Sequence, residues 1–234
     1  MALRRTSWVL LLIVLQTCSI HAGGGGLLNL RKKAPAGGDL PLEKLGERQR
    51  QLAQHVLDRP AFTAKGPSET FFCKPDQYQF ILDHPDRAVL AWRKLGAKCV
   101  SIIAKGEQQF GWSDDQGSEV VWETIHRGKE LHIWHAEGKV RPSAVMPLVP
   151  LKALVVMRHQ EQRNTDGATL VRHQADLYVQ TDSKTAALVT RMLGPASQRL
   201  AEQGMGQLQL FFSGMSWYLD RHPEQAEELL KLEK

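Results

Sequence analysis

LKALVVMRHQE (Leu151–Glu161) and ATLVRHQADLYVQ (Ala168–Gln180), separated by the turn signal Asn164-Thr165-Asp166-Gly167, decide the fold class. In the first segment Leu151, Ala153, Val155, Met157 and His159 share one face, while Lys152, Arg158 and Gln160 alternate with Leu154 and Val156 on the other. In the second, Val171, His173, Ala175, Leu177 and Val179 lie opposite Arg172, Gln174 and Asp176. Side chains of a strand alternate between faces, so this pattern predicts two long strands paired as a hairpin.

Shorter segments upstream read the same way. Lys98–Lys105, Gln108–Ser113, Ser118–His126 and Glu130–Ala136 are β-rich runs joined by tight polar turns. In Glu130–Ala136, Leu131, Ile133 and His135 share a face. Before them, Ser68–Cys73 predicts a strand, and two short helices follow. Pro75 and Pro85 suit first-turn positions, and Gly96 suits a helix stop. A Pro-bearing loop, about Val140–Pro150, precedes the long hairpin.

Downstream, Thr181, Asp182 or Ser183 caps a predicted helix through Leu193, which Gly194-Pro195 interrupts. A long helix then runs to His222. Ala201, Gly204, Leu208, Phe211, Met215 and Tyr218 step by three or four residues and form one stripe. The glycines Gly204, Gly206 and Gly214 suggest close backbone approach, to the sheet or to a ligand. Residues 223–234 form a charged tail.

The front of the chain reads as an export signal. Arg4 and Arg5 precede eight unbroken apolar residues, Trp8–Leu15, and cleavage is expected after Ala22. Lipidation at Cys18 is a lesser alternative, and an uncleaved anchor another. No run reaches the roughly 18 apolar residues of a membrane span, so the mature chain is not expected to be integral to a membrane. Residues 23–41 are a Gly/Pro linker. Residues 42–59 predict a helix, with Leu42, Leu45, Leu52 and Val56 near one face, that docks loosely on the domain spanning 67–222.

The 234-residue chain is 42% hydrophobic, enough to fill a core. Its formal charge is +5 and falls to +3 when Arg4 and Arg5 leave with the signal. With no dense basic run beyond Arg31-Lys32-Lys33 and no nucleic-acid motif, nucleic-acid binding is not expected. After cleavage Cys73 and Cys99 remain, and either a disulfide or two buried thiols fits that pair. Gly-x-Ser-x-Gly, phosphate-loop and dinucleotide fingerprints are all absent, and no cofactor is expected.

Strand, two short helices, about six antiparallel strands and a long final helix form an α+β order. From Ser68 to His222 this order resembles the helix-grip fold of the START and birch-pollen-allergen superfamily (SRPBCC-like). The chain is also similar to secreted bacterial proteins of unassigned role. The resemblance implies a curved antiparallel sheet of about six to seven strands wrapped around the C-terminal helix, with a cavity between them. Superfamily members include lipid carriers, polyketide cyclases and enzyme subunits, so the fold implies no single function.

On this reading a hydrophobic small molecule or lipid sits between Leu208, Phe211 and Met215 of the helix and Val155, Met157, Val171 and Leu177 of the sheet. His135, His159 and His173 fall on the more apolar strand faces and would orient a polar head group. Phe110, Trp112, Trp122, Trp134, Phe212, Trp217 and Tyr218 are further candidates for the cavity wall. Two other functions fit the same residues. One is an enzyme with an inward histidine as general base; the other is an envelope scaffold that uses the 42–59 helix to reach a partner. The histidine spacing gives no sign of a metal, and core histidines are the plainer reading.

Overall fold

The computed structural model describes residues 40–141, 147–182 and 196–224, and for 196–203 the backbone only. The expected signal, Cys18, most of the linker, the helix expected through Leu193 and the end of the tail lie outside the described residues.

Among the described residues eight antiparallel strands form one sheet. They are β1 (Phe62–Lys65), β2 (Glu69–Phe72), β3 (Ile103–Gly106), β4 (Gln109–Ser113), β5 (Glu119–Arg127), β6 (Leu131–Val140), β7 (Val149–Arg163) and β8 (Thr169–Gln180). Strand order is β1-β8-β7-β6-β5-β4-β3, and β2 also pairs with β8. The strand expected at 98–105 is therefore shorter, with Val100 and Ile102 outside it.

β1 and β2 lie end to end along one border of β8, with Phe62 opposite Val179 and Phe72 opposite Leu170. Between them Gly66 N donates to Ala175 O at 2.8 Å, and the Gln174 amide donates to Gly66 O at 2.8 Å. Pro67 has no N–H to continue the ladder, so the strand breaks there.

Helices α2 (Pro75–Asp83) and α3 (Pro85–Lys94) each begin with proline in the first turn. α3 ends at Gly96, whose φ of +94° closes the helix with bonds from Gly96 N to Arg93 O and Ala97 N to Trp92 O. The long helix α4 (Ala196–Arg221) packs on the concave side of the sheet with α2 and α3. Met205, Leu208, Phe212, Met215 and Leu219 form its buried seam. Phe211 is buried beside it, so Leu208, Phe211 and Met215 of the expected stripe face the core, while Gly204 and Tyr218 sit half-buried at the margin. Ala153, Val155, Met157, Val171, Ala175 and Leu177 complete this core from the sheet, and the arrangement is helix-grip.

The convex face is covered too. α1 (Glu47–Asp58) follows a 3-10 turn at Leu42–Lys44 and buries Ala53, Val56 and Leu57 against Ile125, Ile133, Leu154 and Val156. The docking is firm. Arg48 makes a two-pronged bond to Glu123 of β5 at 2.9 and 2.7 Å, and Arg50 closes the turn on Leu42 O and Leu45 O.

Two glycines on different elements separate steric need from tolerance. A Cβ on Gly138 of β6 would lie 2.1 Å from Glu119 O and 2.8 Å from Val120 Cα, both backbone atoms. A Cβ on Gly206 of α4 meets nothing within 4 Å. We expect Gly138→Ala to lower stability by about 2 kcal/mol or more and Gly206→Ala to raise it by about 0.5–1 kcal/mol. Urea unfolding of both variants checks the pair, and equal effects would refute the strand spacing at β5–β6.

Candidate functional site

Between the sheet and α4 lies a void of about 50 Å³ with an apolar wall. Strands β4, β5 and β6 supply Trp112, Val120, Trp122, Trp134 and Ala136; β7 supplies Val155. α4 contributes Leu208, Phe211 and Phe212, and α2 and α3 add Ile81, Pro85 and Val89. Of the residues expected from sequence, Val155, Leu208 and Phe211 reach the void. Met157, Val171, Leu177 and Met215 are buried in the surrounding core. Trp112, Trp122, Trp134 and Phe212 also line it, whereas Trp217 is 59% exposed and points away from the core. The α2–α3 wall has no local sequence signal, because its apolar residues read only as ordinary helix packing.

Beside this void the concave face carries a polar cluster. His159 of β7 stands directly opposite His173 of β8. The Tyr78 hydroxyl of α2 and His173 Nδ1 are hydrogen-bonded at 3.0 Å, and the Tyr78 ring lies 5.1 Å from that of His159. His132 of β6, which sequence alternation does not single out, joins them. It sits opposite Met157, with its ring 4.4 Å from that of Trp134 and Nε2 3.4 Å from Thr124 Oγ1. Phe212 and Trp134 separate the cluster from the void: the Phe212 ring is 5.5 Å from Tyr78 and 5.6 Å from His173.

His135 does not join the cluster. It faces the convex side, opposite Leu154 and close to Glu137 at 3.7 Å. Its face does carry the apolar Leu131 and Ile133, as alternation indicates, but those residues pack towards α1, not α4. Both faces of β6 are buried, so apolarity could not show which one meets the long helix.

A bulge sharpens the cluster's edge. The β5–β6 register slips between Thr124 and His126, so Arg127 turns inward and binds Asp83 at 2.7 Å. His132 Nδ1 lies 4.0 Å from the same Asp83 oxygen, and His173 Nε2 lies 3.9 Å from Glu69.

The two histidine–carboxylate contacts are not ion pairs at neutral pH. Burial lowers the His132 pKa to about 3, helped by the charges of Arg127, His159 and His126. Burial, with a smaller push from His159, lowers that of His173 to about 4. Burial also lowers His159, against the pull of Glu130. Desolvation therefore outweighs the nearby carboxylates, and the imidazoles stay neutral. Burial raises Tyr78 well above the ordinary phenol value, so it keeps its proton.

His132 Nδ1, His159 Nε2, His173 Nε2 and Trp134 Nε1 are buried without hydrogen-bond partners among the described residues. Buried polar atoms are rarely left so. Among the described residues no three His, Cys, Asp or Glu side chains are grouped to hold a metal ion. Cys73 and Cys99 are free thiols, and burial pushes Cys73 up to about 11, which leaves it unreactive.

No family model matches the sequence, and no curated protein matches it. Solved structures with a similar backbone course include a conserved protein from Geobacillus kaustophilus (14% identity, TM-score 0.42, covering 65% of this chain and 96% of that one). A protein from Thermus thermophilus is 7% identical with a TM-score of 0.44, covering 67% of this chain and 98% of that one. Ara h 8.0201 is 12% identical with a TM-score of 0.36, covering 68% of this chain and 98% of its own. Likeness at this level says nothing about activity.

Neutral buried histidines make stability depend on acid. Above pH 6.5 the imidazoles are neutral in both folded and unfolded chains. As pH falls towards 4, the unfolded chain takes up protons that folded His132 and His173 refuse, so folding weakens. The ceiling is about 1.4 kcal/mol per pH unit for each histidine. Urea midpoints should fall between pH 6.5 and 4.5, and less steeply in His173→Gln. A flat profile over that window would refute buried neutral imidazoles.

Proposed function

We propose that the chain is an exported, non-enzymatic binding protein for an apolar small molecule with a polar end. One observation supports this above the rest: a void walled by three indoles lies next to four buried, unpartnered ring nitrogens. An apolar group in the void would be held by burial at about 25 cal/mol per Å². Its polar end, passing Phe212 and Trp134, would bond the nitrogens of His132, His159 and His173.

The void of about 50 Å³ takes only a few heavy atoms as the side chains stand. A lipid chain therefore needs α4 to ride outward. The helix has identifiable fastenings that would have to yield. Gln209 donates to Pro67 O, and the Trp92 ring sits so close to Gly214 that a Cβ there would lie 2.7 Å from it.

An enzymatic reading with His159 or His173 as general base is less well supported. Both are buried and held below the ordinary histidine range. The scaffold reading needs a free 42–59 helix, and α1 already uses its apolar residues against the sheet. Export is also part of the proposal. Arg4-Arg5 and the Trp8–Leu15 run support it, and the mature N-terminus should be Gly23 by terminal sequencing of secreted material.

Native mass spectrometry of the purified full chain, followed by titration with anilinonaphthalene sulfonate and with a medium-chain fatty alcohol, tests the binding. We expect an apolar adduct or micromolar binding, and at least a tenfold loss in Val155→Phe, which fills the void. A wild-type chain that carries no adduct and binds neither probe would overturn the proposal. So would equal binding by a folded Val155→Phe variant.

A further inference from the structure

The convex face has a second concavity, larger than the first and opposite in character. α1 covers the apolar part of this face. Past Leu131 the face turns polar, and a groove of about 790 Å³ opens between the 3-10 turn and the β5–β6 turn. That volume falls within the range of small-molecule clefts.

The groove's floor is a checkerboard on two paired strands. Arg158 of β7 stands opposite Gln174 of β8, and Gln160 stands opposite Arg172. Lys44 borders the groove from the 3-10 turn and Lys129 from the β5–β6 turn. Neither lysine has a carboxylate partner among the described residues. Among the described residues Glu130 is the one carboxylate in the lining.

Both arginines are restrained before any ligand arrives. Arg158 is bound to Asp176, and Arg172 Nε donates to Ser68 Oγ at 2.9 Å. Restraint of this kind removes part of the ordering cost of binding, and a guanidinium keeps further donors for a second partner. Gln174 gives one amide hydrogen to Gly66 O, which leaves its carbonyl oxygen to accept. Cations on the floor and on two borders, with amides between them, suit a compact polyol that carries more than one anionic group.

We propose that this groove binds a small hydroxylated polyanion of the phosphorylated-polyol class. Anionic groups sit on Arg172 and on the lysines, and hydroxyls sit on Gln160 and Gln174. The groove shares no lining residue with the concave void, although His159 and His173 of the polar cluster border it as well.

Calorimetry on the full chain with inositol hexakisphosphate and glucose 1,6-bisphosphate as probes tests this. We expect binding that weakens with added salt and drops at least fivefold in each of Arg172→Gln and Lys129→Gln. Lys139→Gln removes the same charge about 26 Å along β6 from Leu131 and should change binding less than twofold. If Arg172→Gln does not fold by circular dichroism, Lys44→Gln takes its place. No binding of either probe overturns the site, as does an equal loss in Lys139→Gln. Binding only to phosphatidic-acid vesicles also overturns it, and would assign the face to a membrane surface.

Discussion

Twelve consecutive register positions join β7 to β8, from Lys152 opposite Gln180 to Arg163 opposite Thr169, and the rest of the molecule is arranged around that ladder. A ladder of this length with strands on both of its sides must be shielded on two faces. On one side α4 places Met205, Leu208, Phe212 and Met215 against Ala153, Val155, Met157 and Ala175. On the other α1 places Ala53 and Val56 against Leu154 and Val156. Where α1 stops, the strands switch to Arg158, Gln160, Arg172 and Gln174, which water can reach. The division between a buried concave interior and a basic outer groove thus follows from how far one short helix extends.

The same two-sided shielding explains what can be read from sequence. Alternation in Leu151–Glu161 and Ala168–Gln180 identifies the hairpin and its inward residues, because Arg158, Arg172 and Gln174 mark the opposite face. The helix ends at Pro75, Pro85 and Gly96 are equally legible, since each position has a local steric reason. β6 is not. Both of its faces are apolar, so nothing in its alternation says that His132 and Trp134 meet α4 while Ile133 and His135 meet α1. The inward turn of Arg127 is hidden as well, because a register slip after Thr124 leaves no compositional trace. The Tyr78–His173 bond links residues ninety-five positions apart and belongs to tertiary packing alone.

The concave cluster is a case in which desolvation decides against Coulomb attraction. Asp83 lies within 4.0 Å of His132 and Glu69 within 3.9 Å of His173, yet both imidazoles are held below the ordinary range. Asp83 is already engaged by Arg127, so its charge is answered before it can favour a histidinium. The cluster therefore offers hydrogen bonds without charge. On the proposed function such a lining would favour alcohols, amides and neutral acids over ionised groups, in contrast to the basic groove on the other face.

The interruption at Gly66-Pro67 has a consequence for solubility. An open sheet exposes two borders, each a template on which a neighbouring chain can add a strand. Here one border is split into two four-residue pieces by a proline that cannot donate. The other is β3, four exposed residues with Lys105 among them and a left-handed Gln108 at its turn. Among the described residues neither border offers a long flat run for intermolecular pairing, so the strand breaks themselves discourage fibrillar stacking there.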